Sequence, residues 1–524
     1  MLPWLNVYEK NDATFLFQGF SSGFRIPFDA PFTPRISSNH KSALFHPDIV
    51  TKKLEKEINL GRVAGPFSEP PFNGQIIVSP IGLVEKKSGN DYRLIFDLSH
   101  PKTASINSGI DHSLCTVQYA SFDKAVDMVL DLGKGAFLSK IDIESAFRLL
   151  PIHPDDFRLL GMTHLDQYYV DKTLPFGCSI SCAHFERFSS FLEASLRKHT
   201  NSSHWMHYLD DFLTGDKNKE KAEQTKEKAL QLFEHFGVPY AEEKLVGPVT
   251  CIMFLGLEID TIEMVIRLPI DKIKDLVDQI DYFISKYQAK ITLKELQSLI
   301  GKLNFACRAI RPGRAFCRRV INSTIGLTLP FHHARVTSDM MQDLLIWKEF
   351  LNTHNGTTMI LPKEWSNNQT LRFYTDSSGA HGFGIFFDGS WVSAPWPDNM
   401  SVNRKQIAYL ELFPILVALL IWSPVLKNKK IYFHCDNMAV VEILNKQSSK
   451  DKDCMALLRP FVLTCLNFNI VFKAQFIEGS KNNLADALSR LQLARFRSLC
   501  PTADEKMTPI PQSAWNLLGR KSLD

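Results

Sequence analysis

The sequence predicts a multidomain protein of mixed α/β and α+β class. At 524 residues, the chain is too long for a single ordinary domain. Its composition, 45% hydrophobic and 22% charged, supplies ample core-forming material for several globular units. Strand patterns alternate with amphipathic helix patterns in the first half and again after residue 369, whereas residues 266–368 follow mainly helical spacing. We therefore expect two strand-and-helix regions with a helical region between them.

The net charge limits how the protein could bind a polyanion, and the cysteine content indicates its cellular compartment. The 60 basic and 56 acidic residues give a net charge of +4, so a polyanionic partner must be bound by local basic patches. The ten cysteines are scattered without C-x-x-C pairs, which favours reduced thiols in an intracellular protein, with cytoplasm and nucleus both open. No secretory signal is expected at the N-terminus. The most apolar stretch, residues 412–422, is shorter than the roughly 20 residues of a membrane span and predicts a buried helix.

The first candidate site is the run His207-Tyr-Leu-Asp210-Asp211-Phe212. Apolar and aromatic residues on both sides predict two short strands with the aspartates at the turn between them. Asp favours turns, so turn chemistry alone would also explain one carboxylate. Two adjacent carboxylates repel each other unless a cation lies between them, and Mg²⁺ is the usual cation of phosphate chemistry.

A third carboxylate, Asp142, follows the strand-like residues 136–141. A turn residue after a strand is an equally good local interpretation. Together with Asp210 and Asp211, however, it completes a set that can hold two cations about 3.5–4 Å apart for phosphoryl transfer. Phe147, five residues later, would place a ring near the sugar of a bound nucleotide, although a lone Phe is more often part of a core.

Three further motifs accompany these carboxylates. Residues 75–98 predict a hairpin with Lys86 near its tip and Arg93 on its second strand, which is either a solvated turn or a phosphate clamp. Leu174-Pro-Phe176-Gly177 predicts a turn that opens a helix, a weak signal for close approach of a ligand. Phe254-Leu255-Gly256 lies in a strand pair where a glycine permits close backbone approach.

In this order, the motifs resemble the fingers and palm of reverse transcriptases, and Tyr208-Leu-Asp-Asp211 resembles the retrotransposon and pararetrovirus members. The resemblance implies a right-hand polymerase of fingers, palm and thumb. In it, Asp142, Asp210 and Asp211 would bind two Mg²⁺ ions, with Mn²⁺ as an alternative, and Phe147 would exclude a ribose 2′-hydroxyl. The residues implied to contact the nucleotide are Lys86, Arg93, Ile143, Phe147, Phe176 and Gly177, and those implied to grip the primer are Phe254, Leu255 and Gly256. Ser181-Cys182 departs from the Ser-Pro or Ala-Pro that is usual in the family.

A second carboxylate set lies beyond residue 369. Asp376 and Asp436 each end a predicted strand, while Glu411 and Asp486 lie near predicted helix starts. Each alone could be a cap or turn residue. All four in this order, with the run Ala485-Asp-Ala-Leu-Ser-Arg490, resemble the ribonuclease H domains of retroelements, a mixed sheet with helices on both faces. The resemblance implies two more Mg²⁺ ions and cleavage of the RNA strand of a hybrid. Pro414 predicts that the helix carrying Glu411 begins there or kinks.

These motifs define the expected organisation of the chain. We predict an N-terminal segment without an assigned role (1–74), fingers and palm (75–265), a helical thumb and connection (266–368), a ribonuclease H-like domain (369–494) and a tail (495–524). The N-terminal segment followed by these domains is most similar to DIRS-type elements. The expected partners are an RNA template, a DNA primer, RNA–DNA hybrid and dNTPs, without a membrane.

Two other functions compete with an RNA-directed DNA polymerase fused to ribonuclease H. A domesticated, catalytically inactive protein that binds nucleic acid as a scaffold would be favoured by loss of a carboxylate, yet all seven are present. An RNA-templated RNA polymerase would accept ribonucleotides, which a bulky residue at Phe147 argues against.

Overall fold

The structure is a computed structural model that describes residues 1–86, 91–354, 356–398 and 406–518. The chain divides into two compact units, Met1–Ile252 and Met253–Asp524. Each contains both helices and sheets, as the sequence predicts.

The first unit contains seven α-helices and eleven β-strands within the described residues. The helices are α1 (Leu2–Leu5), α2 (Lys10–Ser22), α3 (Lys41–Phe45), α4 (Pro47–Asn59), α5 (Phe122–Leu132), α6 (Ser181–Thr200) and α7 (Lys219–Phe236). The strands are β1 (Arg35–Ile36), β2 (Val63–Phe67), β3 (Ile77–Val78), β4 (Ile81–Glu85), β5 (Tyr92–Phe96), β6 (Phe137–Asp142), β7 (Gly161–His164), β8 (Gln167–Asp171), β9 (Trp205–Tyr208), β10 (Asp211–Asp216) and β11 (Val246–Val249).

The predicted carboxylates of this unit lie on one antiparallel sheet, ordered β11-β6-β10-β9. Helix α7 packs beside this sheet because its apolar face, which includes the buried residues Ala229, Leu232 and Phe233, faces inward. The predicted basic hairpin forms from β4 and β5, and its tip, residues 87–90, lies outside the described residues. A five-stranded sheet, ordered β1-β3-β7-β8-β2, completes the unit.

The N-terminal segment is part of this unit and not a separate domain. Leu16, Phe24, Val50 and Leu54 are buried in one hydrophobic cluster that extends as far as Val238. The sequence alone leaves open whether residues 1–74 form a separate domain, and in the structure they share the core of the first unit. Local sequence could not reveal this, because residues 1–74 carry little periodicity and their apolar side chains find partners far along the chain.

The second unit begins with helices and short strands and ends with an α/β region. Its first part contains β13 (Leu257–Asp260), β14 (Val265–Arg267), α8 (Ile270–Ser285), β15 (Lys290–Thr292), α9 (Leu293–Ala306), α10 (Arg318–Asn322), β16 (His333–Arg335), α11 (Ser338–His354) and β17 (Thr357–Met359), with β12 (Cys251–Phe254) spanning the boundary between the units. The second part contains α12 (Asn368–Leu371), β18 (Phe373–Ser377), β19 (Gly382–Phe387), β20 (Ser390–Pro395), α13 (Ile407–Leu426), β21 (Lys430–Cys435), α14 (Met438–Lys446), α15 (Lys452–Asn467), β22 (Val471–Phe476), α16 (Asn483–Ser489), α17 (Leu493–Leu499) and α18 (Gln512–Leu518).

The predicted mixed sheet is present as two hydrogen-bonded pieces. β18, β19 and β20 form an antiparallel sheet, and β21 and β22 form a parallel pair. β18 and β21 lie side by side, with the rings of Phe373 and Phe433 in edge contact at 5.5 Å. The strand directions and order of elements match the prediction, whereas the ladder between β18 and β21 is absent from the described residues.

Helix α13 differs from its prediction in two ways. It runs continuously from Ile407 to Leu426 through Pro414 and Pro424, so Glu411 lies in its second turn and the helix does not begin at Pro414. Its 20 residues are long and apolar enough to cross a membrane by length and composition alone, longer than the predicted apolar stretch, yet 78% of the apolar window is buried inside the fold. Burial on all sides by the surrounding strands and helices accounts for an apolar surface without a polar face.

The predicted C-terminal tail is packed into the fold through residue 518. Phe496 on α17 is fully buried and forms one apolar cluster with Phe386 and Trp391 of the sheet. The indole nitrogen of Trp391 donates a hydrogen bond to the carbonyl oxygen of Asp504 at 2.8 Å. Residues that follow the predicted domain end at 494 therefore contribute to this core.

Candidate active sites

Three carboxylates meet at one end of the β6-β10 ladder. Asp142 is the last residue of β6, and Asp211, the first residue of β10, lies directly opposite it. Asp210 occupies the turn after Leu209, whose φ of +54° is a conformation that few residues other than glycine adopt. The backbone nitrogen of Ile143 donates to the carbonyl oxygen of Asp210 at 3.0 Å and so ties the turn to the end of β6. The predicted set is therefore brought together by strand register.

The electrostatics of this cluster are unfavourable for three anions. Burial and the nearby carboxylates raise the pKa of Asp211 to about 6 against the opposing effect of Lys140. Burial and Asp142 also raise the pKa of Asp210, partly offset by a backbone hydrogen bond. Two lysines partly neutralise this negative charge. Lys244 Nζ lies 2.9 Å from Asp142 Oδ1, and Lys140 Nζ lies 3.8 Å from Asp211 Oδ1.

The donor set fits divalent cations. Asp211 Oδ1 is buried without a hydrogen-bond partner among the described residues. A buried carboxylate oxygen with no partner is costly unless a cation compensates it. Clustered carboxylate oxygens are the ligands that Mg²⁺ and Ca²⁺ prefer. Asp142, Asp210 and Asp211 are therefore the residues that would hold a metal here.

Phe147 follows Asp142 by five residues and lies in a short 3₁₀ helix, Ala146–Leu149. Its ring is 8% exposed and contacts Phe176 and Phe185, with centroid distances of 4.9 and 5.3 Å. Phe176 itself is 69% exposed and presents a ring to solvent at the same place. The structure thus brings two of the predicted nucleotide-contacting rings together.

Gly177 is required by close packing. A Cβ at this position would lie 1.9 Å from the carbonyl oxygen of Phe96, at the end of β5. Asn107 fixes the same turn, because its side-chain amide donates to the carbonyl oxygen of Gly177 at 2.9 Å and its oxygen accepts from Ser179 N at 2.8 Å. The Leu174–Gly177 turn is thereby held against the basic hairpin, and helix α6 follows it as predicted.

The two cations of the basic hairpin differ in their surroundings. Lys86 Nζ lies 2.6 Å from Asp91 Oδ2, and Lys53 Nζ lies 2.6 Å from the other oxygen, Oδ1, of the same carboxylate. Arg93 is exposed on β5 opposite Val84. The contact of Lys86 with a phosphate stays a prediction and would require exchange of Asp91 for that phosphate.

The predicted primer grip is a tight turn between β12 and β13. Leu255 and Gly256 have φ values of +47° and +79°, while Phe254 is buried. Lys272 Nζ donates to the carbonyl oxygen of Gly256 at 2.8 Å and lies 4.0 Å from the ring centroid of Phe305. The turn belongs to the second unit, and its contact with a primer stays a prediction.

The second carboxylate set converges within the α/β region of the second unit. Asp376 lies on β18, Asp436 directly follows β21, Glu411 lies on α13 and Asp486 lies on α16. Helix α16 approaches the sheet closely because Gly384, opposite Asp376, leaves room: a Cβ there would lie 2.5 Å from atoms of Ala485, Leu488 and Ser489. The ligand atoms of Glu411, Cys435 and Asp436 lie within 4.8 Å of one another.

Mutual repulsion and burial also mark this set. Burial, with Asp376 and Asp436 nearby, raises the pKa of Glu411 to about 9. Burial raises the pKa of Asp376 to about 7, opposed by a hydrogen bond from Ser489. Glu411 Oε2 is buried and unpartnered among the described residues. The donor set therefore fits a divalent cation as well. Asp486 differs, since Arg490 and Arg495 each lie 2.7 Å from it and, despite partial burial, lower its pKa.

Sequence reasoning missed Lys140 and Ser489. Lys140 precedes Asp142 by two residues on a strand, so both side chains lie on one face of the sheet. This two-residue spacing could have predicted from the sequence that Lys140 lies near the carboxylates. The hydroxyl of Ser489 donates to Asp376 Oδ2 at 2.5 Å across 113 residues of sequence. Only the packing of α16 against β18 creates that contact.

Comparison with known proteins matches part of the chain, including the first carboxylate set, to one family model. Residues 84–259 match the family model described as reverse transcriptase (RNA-dependent DNA polymerase). The Gag-Pro-Pol polyprotein of mouse mammary tumor virus (strain BR6) is 20% identical over 370 residues, which is 69% of this chain and 18% of that protein. The transposon Tf2-7 polyprotein of Schizosaccharomyces pombe is 20% identical over 446 residues, 84% of this chain and 30% of that protein. The chain thus spans less than a third of the length of these relatives.

A solved structure gives the fold. The foamy viral protease-reverse transcriptase dRH in complex with ds DNA aligns with 90% of this chain and 80% of its own, with a TM-score of 0.52 and 16% identity. The predicted fold class, a multidomain reverse transcriptase polymerase fold, is confirmed. The chain is a relative of retroelement reverse transcriptases, as its motifs predict.

Proposed function

We propose that this chain is an RNA-directed DNA polymerase of a retroelement, with a fused ribonuclease H that degrades the RNA strand of RNA–DNA hybrids. The observation that carries the proposal is the register pairing of Asp142 with Asp211, with Asp210 in the adjoining turn. The match of residues 84–259 to the reverse transcriptase family model supports the polymerase class. The polymerase substrates would be dNTPs on an RNA template with a DNA primer. The scattered spacing of the ten cysteines in the sequence favours a proposed intracellular location.

In the polymerase site, Asp142, Asp210 and Asp211 would hold two Mg²⁺ ions. When bound, these ions supply charge neutralisation at the phosphates and a lowered pKa for the primer 3′-hydroxyl. The protein's own contribution is positional. The hydrogen bond from Ile143 N to the Asp210 carbonyl and the β6-β10 ladder fix the carboxylates before substrate arrives.

The remaining residues around the site would select and orient the nucleotide. Arg93, exposed on β5, and Lys86 provide cations for the triphosphate. A 2′-hydroxyl would not displace the Phe147 ring easily, because Phe185 and Phe176 contact that ring. The ring would therefore favour deoxyribonucleotides by steric exclusion. The turn at Phe254, Leu255 and Gly256 would contact the primer backbone.

In the second site, Asp376, Glu411, Asp436 and Asp486 would hold the metal ions for hydrolysis of an RNA phosphodiester. Ser489 orients Asp376 by its hydrogen bond, and Arg490 and Arg495 orient Asp486. The two activities complement each other, since the first produces a hybrid and the second removes its RNA template. Recognition of the hybrid would depend on backbone and shape contacts and not on base sequence.

A single assay tests both activities. Purified protein is incubated with Mg²⁺, dNTPs and a labelled RNA template annealed to a DNA primer, and extension and template cleavage are read in the same tube. The Asp210→Asn/Asp211→Asn protein should lose extension and retain cleavage of a preformed hybrid. The Glu411→Gln protein should show the reverse.

Two outcomes would contradict the proposal. Wild-type protein that is folded yet extends no primer would favour an inactive nucleic-acid-binding or scaffold protein. Preference for rNTPs over dNTPs on the same primed template would favour an RNA polymerase. Asp216→Asn, at the far end of β10 from the carboxylate cluster, is the matched control and should leave both activities unchanged.

A further inference from the structure

Arg148 directly follows Phe147 in the sequence and donates four hydrogen bonds. Its guanidinium donates to Glu57 Oε2 from Nε at 3.1 Å and from Nη2 at 2.9 Å. From Nη1 it donates to Asp171 Oδ2 at 2.7 Å and to the carbonyl oxygen of Thr173 at 3.4 Å. The side chain is only 9% exposed, so water does not screen these contacts well.

The partners of Arg148 come from two distant parts of the first unit. Glu57 lies in the last turn of α4, within the N-terminal segment to which the sequence assigns no role. Asp171 ends β8 and is buried. A planar guanidinium can bridge two carboxylates at fixed angles, which an ammonium group cannot do. Arg148 therefore fixes the short 3₁₀ helix Ala146–Leu149 against α4 on one side and β8 on the other.

We propose that Arg148 is a positioning residue for sugar selection, through which Glu57 of the N-terminal segment sets the position of the Phe147 ring. This inference rests on the proposed polymerase function, in which Phe147 excludes a 2′-hydroxyl. Phe147 and Arg148 are neighbours in one 3₁₀ turn, so displacement of the arginine backbone displaces the ring. Contacts with Phe176 and Phe185 also limit the position of the ring.

The geometry also explains how a remote segment can affect a catalytic property. Loss of the Glu57 contact leaves Arg148 with Asp171 and the carbonyl oxygen of Thr173, so the 3₁₀ helix keeps one of its two carboxylate anchors. Asp142 and Asp211 are held separately by the β6-β10 ladder, and Asp210 by the hydrogen bond from Ile143 N to its carbonyl oxygen. Substitution at Glu57 or Arg148 should consequently change sugar discrimination more than it changes dNTP incorporation.

The test is a comparison of discrimination, the ratio of kcat/KM for a dNTP to kcat/KM for the matching rNTP, on one primed RNA template. Arg148→Lys keeps the charge but loses the bridging fork, and discrimination should fall about tenfold, since small displacements of a positioned group change rates by one to two orders of magnitude. Glu57→Gln, a milder isosteric change that leaves Asp171 paired, should shift discrimination in the same direction by less.

A double-mutant cycle separates positioning from general stability. In a Phe147→Val background, where the ring is absent, Arg148→Lys should cause no further change in discrimination. Asp12→Asn is the matched control: it removes another N-terminal carboxylate that pairs with an arginine, Arg187 at 2.6 Å, and should leave discrimination unchanged.

The outcomes are distinct. Wild-type protein that incorporates dNTPs selectively, with discrimination unchanged in Arg148→Lys and Glu57→Gln, would overturn the inference and leave the proposed function intact. An additive loss of discrimination in the Phe147→Val background would also overturn it. Wild-type protein without primer extension would overturn the proposed function, and the inference with it.

Discussion

Asp142 and Asp211 lie directly opposite each other on neighbouring antiparallel strands. Opposed residues on one face of such a pair have Cβ atoms about 4.5–5.5 Å apart, and like charges there are destabilising. Lys140 and Lys244 offset this repulsion only in part. Burial and the neighbouring carboxylates still raise the pKa of Asp211 to about 6. The paired strands thus hold two carboxylates close together. This proximity destabilises the metal-free protein and favours the binding of a cation.

Asp211→Asn should stabilise the metal-free protein while abolishing primer extension. The native pKa of Asp211 lies above its ordinary value, so its ionised form is disfavoured at neutral pH and neutralisation relieves that cost. We expect a gain of about 2 kcal/mol in the free energy of unfolding at pH 7.5 with a chelator present. Urea denaturation measures it. Mg²⁺ should raise the stability of wild type more than that of the variant, and an equal Mg²⁺ effect in both would contradict the assignment of Asp211 as a ligand.

Stability contributed by His207 should disappear at alkaline pH. Burial lowers the pKa of His207, but hydrogen bonds to Glu186 at 3.2 Å and Glu193 at 2.5 Å outweigh it and raise the pKa to about 9. The charged form is favoured in the folded state, so the contribution is complete below pH 6.5 and is lost as the pH rises through 9. The stability difference between wild type and His207→Gln should fall by on the order of 3 kcal/mol over this range.

Urea denaturation from pH 6 to 9.5 measures that difference. Its pH dependence distinguishes a buried ion pair from simple packing of the imidazole on Phe212. His199→Gln, an exposed histidine on α6, is the control and should retain the wild-type profile. A constant difference between wild type and His207→Gln across the whole range would show that folding does not raise the pKa of His207 and would contradict the prediction.

Mg²⁺ affinity at the second site should rise with pH up to about 9. Glu411, with a pKa of about 9, and Asp376, with a pKa of about 7, carry protons at neutral pH that must leave before both carboxylates bind a cation. Calorimetric titration of Asp210→Asn/Asp211→Asn protein in two buffers of different ionisation enthalpy measures the protons released. Adding Glu411→Gln should reduce proton release and flatten the pH dependence. Binding without proton release in the unmodified second site would contradict this prediction.

Phe496→Ala should destabilise the second unit strongly. Its ring is fully buried against Phe386 and Trp391, and removal of a buried Phe side chain costs about 3–5 kcal/mol. Leu499 on the same helix is 47% exposed, so Leu499→Ala should change stability by less than about 0.5 kcal/mol. Chemical denaturation measures both variants. Equally small changes in stability in both variants would indicate that residues 495–518 are a tail that the fold does not need.

The sequence alone was sufficient for the local elements and for the identity of the carboxylates. Alternation of apolar residues predicted β9 and β10 with the aspartates at the turn between them, and the apolar stretch 412–422 predicted a buried helix, which lies within α13. These features depend on neighbours within a few residues. The roles assigned to individual site residues remain predictions, although the structure brings the polymerase carboxylates together.

Other features were decided only by tertiary structure, because they depend on residues far apart in the chain. The joining of residues 1–74 to the first core, the burial of Phe496 and the hydrogen bond from Ser489 to Asp376 have no local signal. From the sequence alone, Pro414 is expected to end or bend helix α13, because proline removes a backbone hydrogen bond. The helix nevertheless continues through Pro414, since burial in the surrounding core compensates that local cost. Sequence therefore determined which groups are available for chemistry, and long-range packing determined how each is positioned, buried and charged.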